Sequence, residues 1–232
     1  MRLDKLIGHA TDFSRRQIHT LIKSGAIEVN AEPIKNPAFH LQADDVVTLD
    51  GKILALPAPR YLMLHKPIGY VCANSDSEHA TVLDLLELPN KSTLQIAGRL
   101  DLDTTGLVLL TDDGQWNHRI TSPKSKCTKT YLCHTAEPIP AATIAAFAAG
   151  VQLHGESKPT RPAQLELLGD SVARLKVCEG KYHQVKRMFA AVGNRIVRLH
   201  RESIGNILLD PELSAGHYRH LTQKEIEEAI NG

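Results

Sequence analysis

Carboxylates and hydroxyls are concentrated in residues 98–114, around the start of a run of apolar residues. Asp101 and Asp103 lie among turn-forming residues, and Leu107–Leu110 has the composition of a buried strand. Arg99 lies two residues before the first aspartate. The pattern predicts a rigid strand that carries a loop rich in carboxylates. Such a loop suits a nucleophile or a proton acceptor, and the pattern alone leaves a hairpin turn with solvated acids as the alternative.

Two segments further along the chain carry an aromatic ring and a group of cations. Tyr131 lies in a segment with strand character, where its ring can face a ligand or simply pack. In residues 179–189, a Glu-Gly turn leads into an apolar stripe at helical spacing over 184–192. Lys186 and Arg187 lie on this predicted helix. The pattern alone leaves a packed ring and a solvated cationic surface as the alternatives.

The two aspartates also permit a different reaction. The spacing Asp101-x-Asp103-x-Thr105 resembles the signature of the haloacid-dehalogenase-type phosphotransferases. In that chemistry two acids grip Mg²⁺ and one attacks phosphorus. That signature normally follows a hydrophobic strand, whereas the apolar run here comes after the acids. We therefore expect the second aspartate and the neighbouring threonines, Thr104 and Thr105, to shape the loop.

The distribution of charge is more informative than its total. The 232 residues have a net charge of only +1. Two segments, 114–136 and 181–201, nevertheless contain several Lys and Arg residues and no acid. Such blocks suit phosphate contacts where their side chains share a face, and a solvated surface is the alternative.

The cysteines are typical of a reducing compartment. Cys72, Cys127, Cys133 and Cys178 include no CxxC pair, which favours free thiols over a disulfide framework. His134 lies beside one of them, but the spacing matches no usual zinc site. The sequence starts Met-Arg-Leu-Asp-Lys without an apolar signal region, and its longest run of small apolar residues is too short to cross a bilayer. We expect a cytoplasmic protein with no metal and no membrane partner.

Residues 1–56 have the pattern of a small unit of helices followed by short strands. Apolar residues at helical spacing open the unit, and Ser14 suits the N-cap of a second helix that Gly25 would end. A short proline-rich linker follows. The second helix carries three cations: Arg15, Arg16 and Lys23.

Together these segments resemble the pseudouridine synthases of the RsuA branch. Gly98-Arg99-Leu100-Asp101 matches the catalytic loop of that family, and residues 129–131 and 183–185 match its Lys-x-Tyr and His-Gln-Val segments. Residues 66–69 match a Lys-Pro-x-Gly segment. The first unit resembles an S4 RNA-binding domain, with Arg-Leu-Asp-Lys at its start and Ser-Arg-Arg on its second helix. The similarity covers nearly the whole chain.

The resemblance implies a role for each motif. Asp101 is the implied catalytic carboxylate, Tyr131 the ring that stacks on the target uracil, and Lys186 the cation that pairs with the carboxylate. Arg187 is the alternative for that pairing. The reaction breaks the bond from C1′ to N1, turns the base and joins C5 to C1′, which requires no cofactor. Whether the carboxylate attacks carbon or removes a sugar proton stays open. The residues expected to contact substrate or RNA are Arg99, Arg187, His183, Gln184, Lys66, Arg15, Arg16 and Lys23.

We therefore expect an α+β protein with an S4-like RNA-binding domain at 1–56, a linker at 57–60 and a mixed, mostly antiparallel-sheet catalytic domain at 61–232. Helical patterns within the last domain span 81–88 and 140–150. The implied substrate is one uridine of bacterial small-subunit (16S) ribosomal RNA, which the resemblance places at position 516 of that RNA. The implied partner is this RNA or an assembling small subunit, bound by a monomer. The alternative is a non-catalytic, ribosome-associated RNA-binding protein of the S4 type.

Overall fold

The computed structural model describes residues 1–42, 44–55 and 58–229. Two compact units are present, one made of Met1–Pro59 with Glu87–Leu94 and the other of Arg60–Leu86 with Gln95–Gly232. Of the linker expected at 57–60, residue 57 lies outside the described residues. The elements are a mixture of helices and mostly antiparallel strands, which confirms the expected α+β class.

The first unit contains two helices and a small antiparallel sheet. Helix α1 spans Leu3–Ala10 and helix α2 spans Arg15–Ser24. The strands are β1 (Ile27–Val29), β2 (Glu32–Pro33), β3 (Val47–Leu49) and β4 (Lys52–Ile53), and they pair in the order β2-β1-β3-β4. The segment Glu87–Leu94 contributes a short 3₁₀ helix at Lys91–Thr93.

Helix α2 begins and ends where the sequence predicts. The Ser14 hydroxyl accepts a hydrogen bond from the Gln17 N–H, and the Gln17 side chain accepts one from the Ser14 N–H. Gly25 closes the helix in the left-handed conformation, with φ +81°. Ile18 and Ile22 belong to the buried core of this unit. The three cations of the helix are exposed: Arg15, Arg16 and Lys23.

The second unit is built on a large mixed sheet. Its strands are β5 (Tyr61–Lys66), β6 (Gln95–Ala97), β7 (Thr105–Thr111), β8 (Lys129–Thr135), β9 (Gln164–Gly169), β10 (Val172–Val177), β11 (Ile196–Ile204), β12 (Ile207–Leu208) and β13 (Tyr218–His220). Seven of them follow the order β13-β5-β7-β11-β8-β10-β9, while β6 pairs with β7 and β12 with β11. The helices of this unit are α3 (Gly114–Thr121), α4 (Ala142–Ala149), α5 (Gln184–Ala191) and α6 (Gln223–Glu228).

Strand β7 is an interior strand of this sheet. Its residues Leu107–Leu110 are fully buried, as their continuous apolar run predicts. The strand pairs antiparallel with β5 and parallel with β11, where Gly106 lies opposite Arg201. Gly106 has φ +110°, and a Cβ there would lie 2.3 Å from the Arg201 carbonyl oxygen. Only glycine therefore allows the backbone of β11 to approach the start of β7 so closely.

Helices flank the sheet with their predicted apolar faces inward. Asp113 caps α3 by accepting hydrogen bonds from the N–H groups of Gln115 and Trp116, and the Trp116 ring is buried. Met188 and Phe189 of α5 are fully buried in one of the core clusters, which matches the predicted stripe. The helix expected within 140–150 is present as α4.

The prediction of a helix at 81–88 is wrong, because the segment forms a β-bridge and turns. The segment begins with two residues tied to Val71, since the Val82 N–H donates to the Val71 carbonyl and Thr81 forms a bridge with the same residue. The Thr81 N–H and hydroxyl both donate to the Asp84 carboxylate. Turns with i→i+3 bonds then follow. The apolar side chains Val82 and Leu86 are buried all the same, because irregular backbone can produce the same spacing.

Candidate active site

A cleft of about 700 Å³ in the second unit collects side chains from segments far apart in the chain. One wall is residues 98–104, the connection between β6 and β7 that we name the Asp101 loop. Strand β8, the turn before α5, the start of α5 and strand β11 contribute further residues, and residues 71–72, strand β6, helix α3 and strand β10 complete the lining. The three side chains expected to carry the chemistry all border this cleft: Asp101, Tyr131 and Lys186.

Backbone contacts on both sides of Asp101 fix the loop. The Leu100 N–H donates to the buried sulfur of Cys72 at 3.3 Å. The Leu102 carbonyl accepts a hydrogen bond from the Gly69 N–H at 3.0 Å. The carboxylate is therefore carried by a backbone held one residue before it and one residue after it, a geometry that suits a reacting group.

Lys66 clamps the same loop from strand β5. Its side chain is fully buried, and Nζ donates to the carbonyls of Thr104 at 2.7 Å, Pro67 at 3.0 Å and Leu102 at 3.3 Å. Burial lowers the pKa of the ammonium. A side chain enclosed in this way has no surface left for a phosphate. The expectation that Lys66 contacts RNA is therefore corrected: its position is that of a loop support.

Arg201 is a second buried clamp, on strand β11. Its Nε donates to the Leu107 carbonyl at 2.8 Å, and its terminal nitrogens donate to the carbonyls of Gly98 at 2.7 Å and Arg99 at 3.3 Å. One terminal nitrogen also lies 3.4 Å from the Tyr131 hydroxyl. The planar guanidinium thus joins three carbonyls around the Asp101 loop to the ring on β8.

The sequence prediction omits Arg201. In the sequence, the burial of Arg201 is indicated only by its position between the apolar residues Leu199 and Ile204, which are buried in the same strand. Its partners become visible only when the register of β11 with β7 is known, because those partners lie about one hundred residues away in sequence.

Lys186 lies between the two aspartates of the loop. Its Nζ is 3.3 Å from Asp101 Oδ2 and 2.5 Å from Asp103 Oδ1. Burial alone would lower the pKa of Lys186, but the hydrogen bond to Asp103 and the charge of Asp101 outweigh it and raise that pKa. The same hydrogen bond lowers the pKa of Asp103. The ammonium therefore stays charged beside both carboxylates.

This arrangement disfavours the phosphotransferase alternative. The Lys186 ammonium fills the space between Asp101 and Asp103 in which Mg²⁺ would have to bind. In the part of the chain that the structure describes, no group of three His, Cys, Asp or Glu side chains could hold a metal ion.

His183 and Gln184 belong to the turn that precedes α5. The His183 backbone has φ +46°, and its Nε2 lies 3.4 Å from Asp101 Oδ1, so the ring reaches the carboxylate, a contact that the sequence does not predict. Gln184 is buried. Its amide accepts from the Lys181 N–H at 2.8 Å and donates to Glu179 at 2.9 Å. Gln184 borders the cleft, but these bonds give its amide a role in holding the turn.

Tyr131 is half-buried on β8. The Arg201 guanidinium carbon lies 5.9 Å from its ring centroid, within the range of a cation–π contact. The position of the ring is thereby coupled to the guanidinium that holds the Asp101 loop. Arg99 is exposed at the cleft, where its side chain is accessible to a ligand.

Arg187 forms its ion pair with Glu156 and not with Asp101. Its guanidinium donates to Glu156 at 3.0 Å and to the carbonyls of His154 at 2.6 Å and Tyr182 at 3.0 Å. The structure therefore places Lys186, and not Arg187, beside Asp101.

Comparisons with known proteins identify the family of the chain. A family model described as RNA pseudouridylate synthase matches residues 60–191, and a model of the S4 domain matches residues 1–47. The chain is 53% identical to "Ribosomal small subunit pseudouridine synthase A" of Salmonella typhimurium, over 97% of this chain and 98% of that protein. It is 51% identical to the protein of the same name from Escherichia coli K12, over 99% and 100%.

One solved structure extends this similarity to the fold. The chain superimposes on a "Crystal structure of pseudouridylate synthase" with a TM-score of 0.74 and 47% sequence identity, over 99% of this chain and 100% of that one. Across the described ranges, no helix has the length and apolar character needed to span a membrane.

Proposed function

Because this chain belongs to the RNA pseudouridylate synthase family, in its RsuA-type branch with an N-terminal S4 domain, we propose that it converts one uridine of small-subunit ribosomal RNA to pseudouridine. The enzyme is an isomerase. Besides family membership, the cleft supports the proposed reaction, because Asp101, Tyr131 and Lys186 meet there from three separate segments. The names of the similar proteins support ribosomal RNA of the small subunit as the substrate.

Asp101 is the group that we assign to the reacting sugar. Isomerisation needs the bond from C1′ to N1 to break while the base remains in the site. A carboxylate can assist by attacking carbon or by removing a sugar proton, and both routes require its ionised form. The Lys186 ammonium at 3.3 Å favours that form. His183, 3.4 Å from the other oxygen, contributes a second polar contact.

Tyr131 is the group that we assign to the base. The uracil has to turn so that C5 replaces N1 opposite C1′, and a flat aromatic face supports such a movement without fixing one orientation. Bases that enzymes take out of RNA are commonly held against aromatic rings. The contact with Arg201 keeps the Tyr131 ring in a fixed relation to the loop that carries Asp101.

The first unit is proposed to hold the RNA. In this division, residues 1–56 bind RNA and residues 61–232 catalyse the reaction. Support comes from the exposed cations of α2, Arg15, Arg16 and Lys23, and from the match to the S4 domain. These side chains would contact phosphates, which position the RNA without reading its sequence. A monomer and a cytoplasmic location remain parts of the proposal.

A non-catalytic RNA-binding protein of the S4 type is the second candidate, and the intact catalytic constellation disfavours it. The test is formation of pseudouridine in an in-vitro transcript of 16S ribosomal RNA, located by carbodiimide labelling and primer extension. We expect one modified position in the presence of the protein. RNA binding without any modified uridine, in both the transcript and isolated small subunits, would support the alternative.

A further inference from the structure

Tyr182 is an exposed aromatic residue at the edge of the cleft that the reaction described above does not use. Three quarters of its surface is accessible, the highest exposure among the large apolar and aromatic residues of the described part of the chain. The residue nevertheless borders the cleft. A large exposed ring beside a nucleotide site is unusual for a purely structural residue, because its apolar faces lie in water.

One face of the Tyr182 ring stacks on His183, whose ring reaches the Asp101 carboxylate. The centroid of the Tyr182 ring lies 3.8 Å from that of His183, with an angle of 22° between the planes. His183 in turn places Nε2 3.4 Å from Asp101. The Asp101 carboxylate, the His183 imidazole and the Tyr182 phenol therefore form a series of contacts from the reaction centre to the surface. The outer face of the phenol ring faces solvent.

The backbone around Tyr182 is held by hydrogen bonds from charged side chains. Arg187 donates to the Tyr182 carbonyl at 3.0 Å and to Glu156 at 3.0 Å. Lys181 donates to the other oxygen of the same carboxylate at 3.0 Å. Glu156 therefore ties together the cations that flank the exposed ring. A ring fixed before a ligand arrives loses little entropy on binding, and this raises affinity.

We propose that residues 181–183, which we name the Tyr182 turn, present the outer face of Tyr182 as a stacking site for an unpaired base adjacent to the target uridine. The ligand is a nucleobase of single-stranded or looped RNA. Such bases stack on aromatic side chains, whereas bases inside a duplex cannot. The stack extends recognition from the target to its neighbour, so the Tyr182 turn contributes to the choice of uridine. This inference rests on the proposed function, because it takes the cleft to hold a uridine.

The experiment measures RNA affinity by fluorescence anisotropy and single-turnover pseudouridine formation, with a transcript that spans the modified uridine. Tyr182→Ala should weaken RNA binding about tenfold, as expected for the loss of one stacked base. The single-turnover rate at subsaturating enzyme should fall by a similar factor, because it follows the amount of bound RNA. Tyr182→Phe keeps the ring and should retain affinity. Val197→Ala is the control, since Val197 is also an exposed apolar residue but does not border the cleft.

A second measurement tests the stack itself. An abasic nucleotide is placed in turn on each side of the uridine. At the position whose base stacks on Tyr182, the abasic nucleotide should weaken RNA binding by the wild-type protein about tenfold and leave RNA binding by Tyr182→Ala unchanged. Glu156→Gln removes the carboxylate that ties the turn and should give an intermediate loss of affinity. Equal affinities of Tyr182→Ala and wild-type protein, or equal sensitivity of both to the abasic nucleotides, would overturn the proposal.

Failure of the proposed function has a different signature. In that case the wild-type protein makes no pseudouridine, whatever its affinity. The affinity measurements do not require turnover, so a loss of the stack and a failure of the proposed function give different results.

Discussion

Replacement of the buried Arg201 tests whether the Asp101 loop is held in place by this guanidinium. Arg201→Met removes two short hydrogen bonds, to Leu107 and Gly98, and two longer ones. Hydrogen bonds to charged groups contribute about 1.5–3 kcal/mol each. Desolvation of the buried guanidinium offsets part of this by several kcal/mol. We therefore expect the free energy of unfolding to fall by about 2–4 kcal/mol.

The effect of Arg201→Met on the reaction should exceed its effect on binding. A loop released from these bonds can move by about 1 Å, and a displacement of that size costs about a hundredfold in rate. The single-turnover rate at saturating enzyme should therefore fall about a hundredfold, while RNA affinity changes less than about threefold. Arg201→Lys keeps the charge but cannot span carbonyls on opposite sides, so its rate should lie between those of Arg201→Met and the wild-type protein.

The assay combines single-turnover pseudouridine formation with urea denaturation. Arg198→Met is the control, because Arg198 is an exposed arginine of the same strand. An Arg201→Met protein that unfolds at a lower urea concentration yet reacts at the wild-type rate would refute the proposed positioning of the Asp101 loop by Arg201. That result would give Arg201 a role in stability alone.

Three further predictions follow from other contacts. Gly106→Ala should lower the free energy of unfolding by about 2 kcal/mol or more in urea denaturation, because its Cβ would meet the Arg201 carbonyl at 2.3 Å. Lys186→Met should lower the single-turnover rate about tenfold or more and Lys186→Arg should retain most of it, since only the cation beside Asp101 is needed; full activity of Lys186→Met would contradict this role. Hydrogen bonds from Arg219 lower the pKa of Glu225 from 4.5 to about 2. The ionised Glu225 carboxylate therefore contributes its full stabilisation above pH 4.5, and this contribution is lost as the pH falls towards 2. Glu225→Gln should lower the free energy of unfolding at pH 7 by about 1–3 kcal/mol, and this free energy should depend less on pH between 4.5 and 2 than in the wild-type protein, as measured by urea denaturation across that range.

The parts of the fold that follow from local chemistry could be predicted from sequence. Ser14 and Gly25 mark the ends of α2 because capping depends on a few neighbouring residues. The apolar run after Asp103 is the buried strand β7, and the acids before it lie in a loop, as expected. The segment 81–88 misled because apolar spacing does not distinguish a helix from successive turns anchored by Asp84.

The supports of the candidate site could not be predicted, because they depend on contacts between distant strands. Lys66 has the appearance of an RNA-binding cation in the sequence, and only the pairing of β5 with β7 shows that it is buried under the loop. Arg201 gains its partners from the parallel pairing of β11 with β7. The resemblance to a family indicated which side chains meet in the cleft, but not that Lys186 bridges Asp101 and Asp103.

Asp101, and not its neighbour Asp103, is the carboxylate that we propose to perform the chemistry. The most direct measurement compares pseudouridine formation by Asp101→Asn and Asp103→Asn under single-turnover conditions, with RNA affinity measured in parallel. Both substitutions preserve size and remove one carboxylate beside Lys186. We predict that Asp101→Asn makes no pseudouridine above background and binds RNA within about twofold of wild type, because the lost interaction belongs to the reacting state, whereas Asp103→Asn keeps most of the rate. An active Asp101→Asn protein, or an inactive Asp103→Asn protein beside it, would contradict the account.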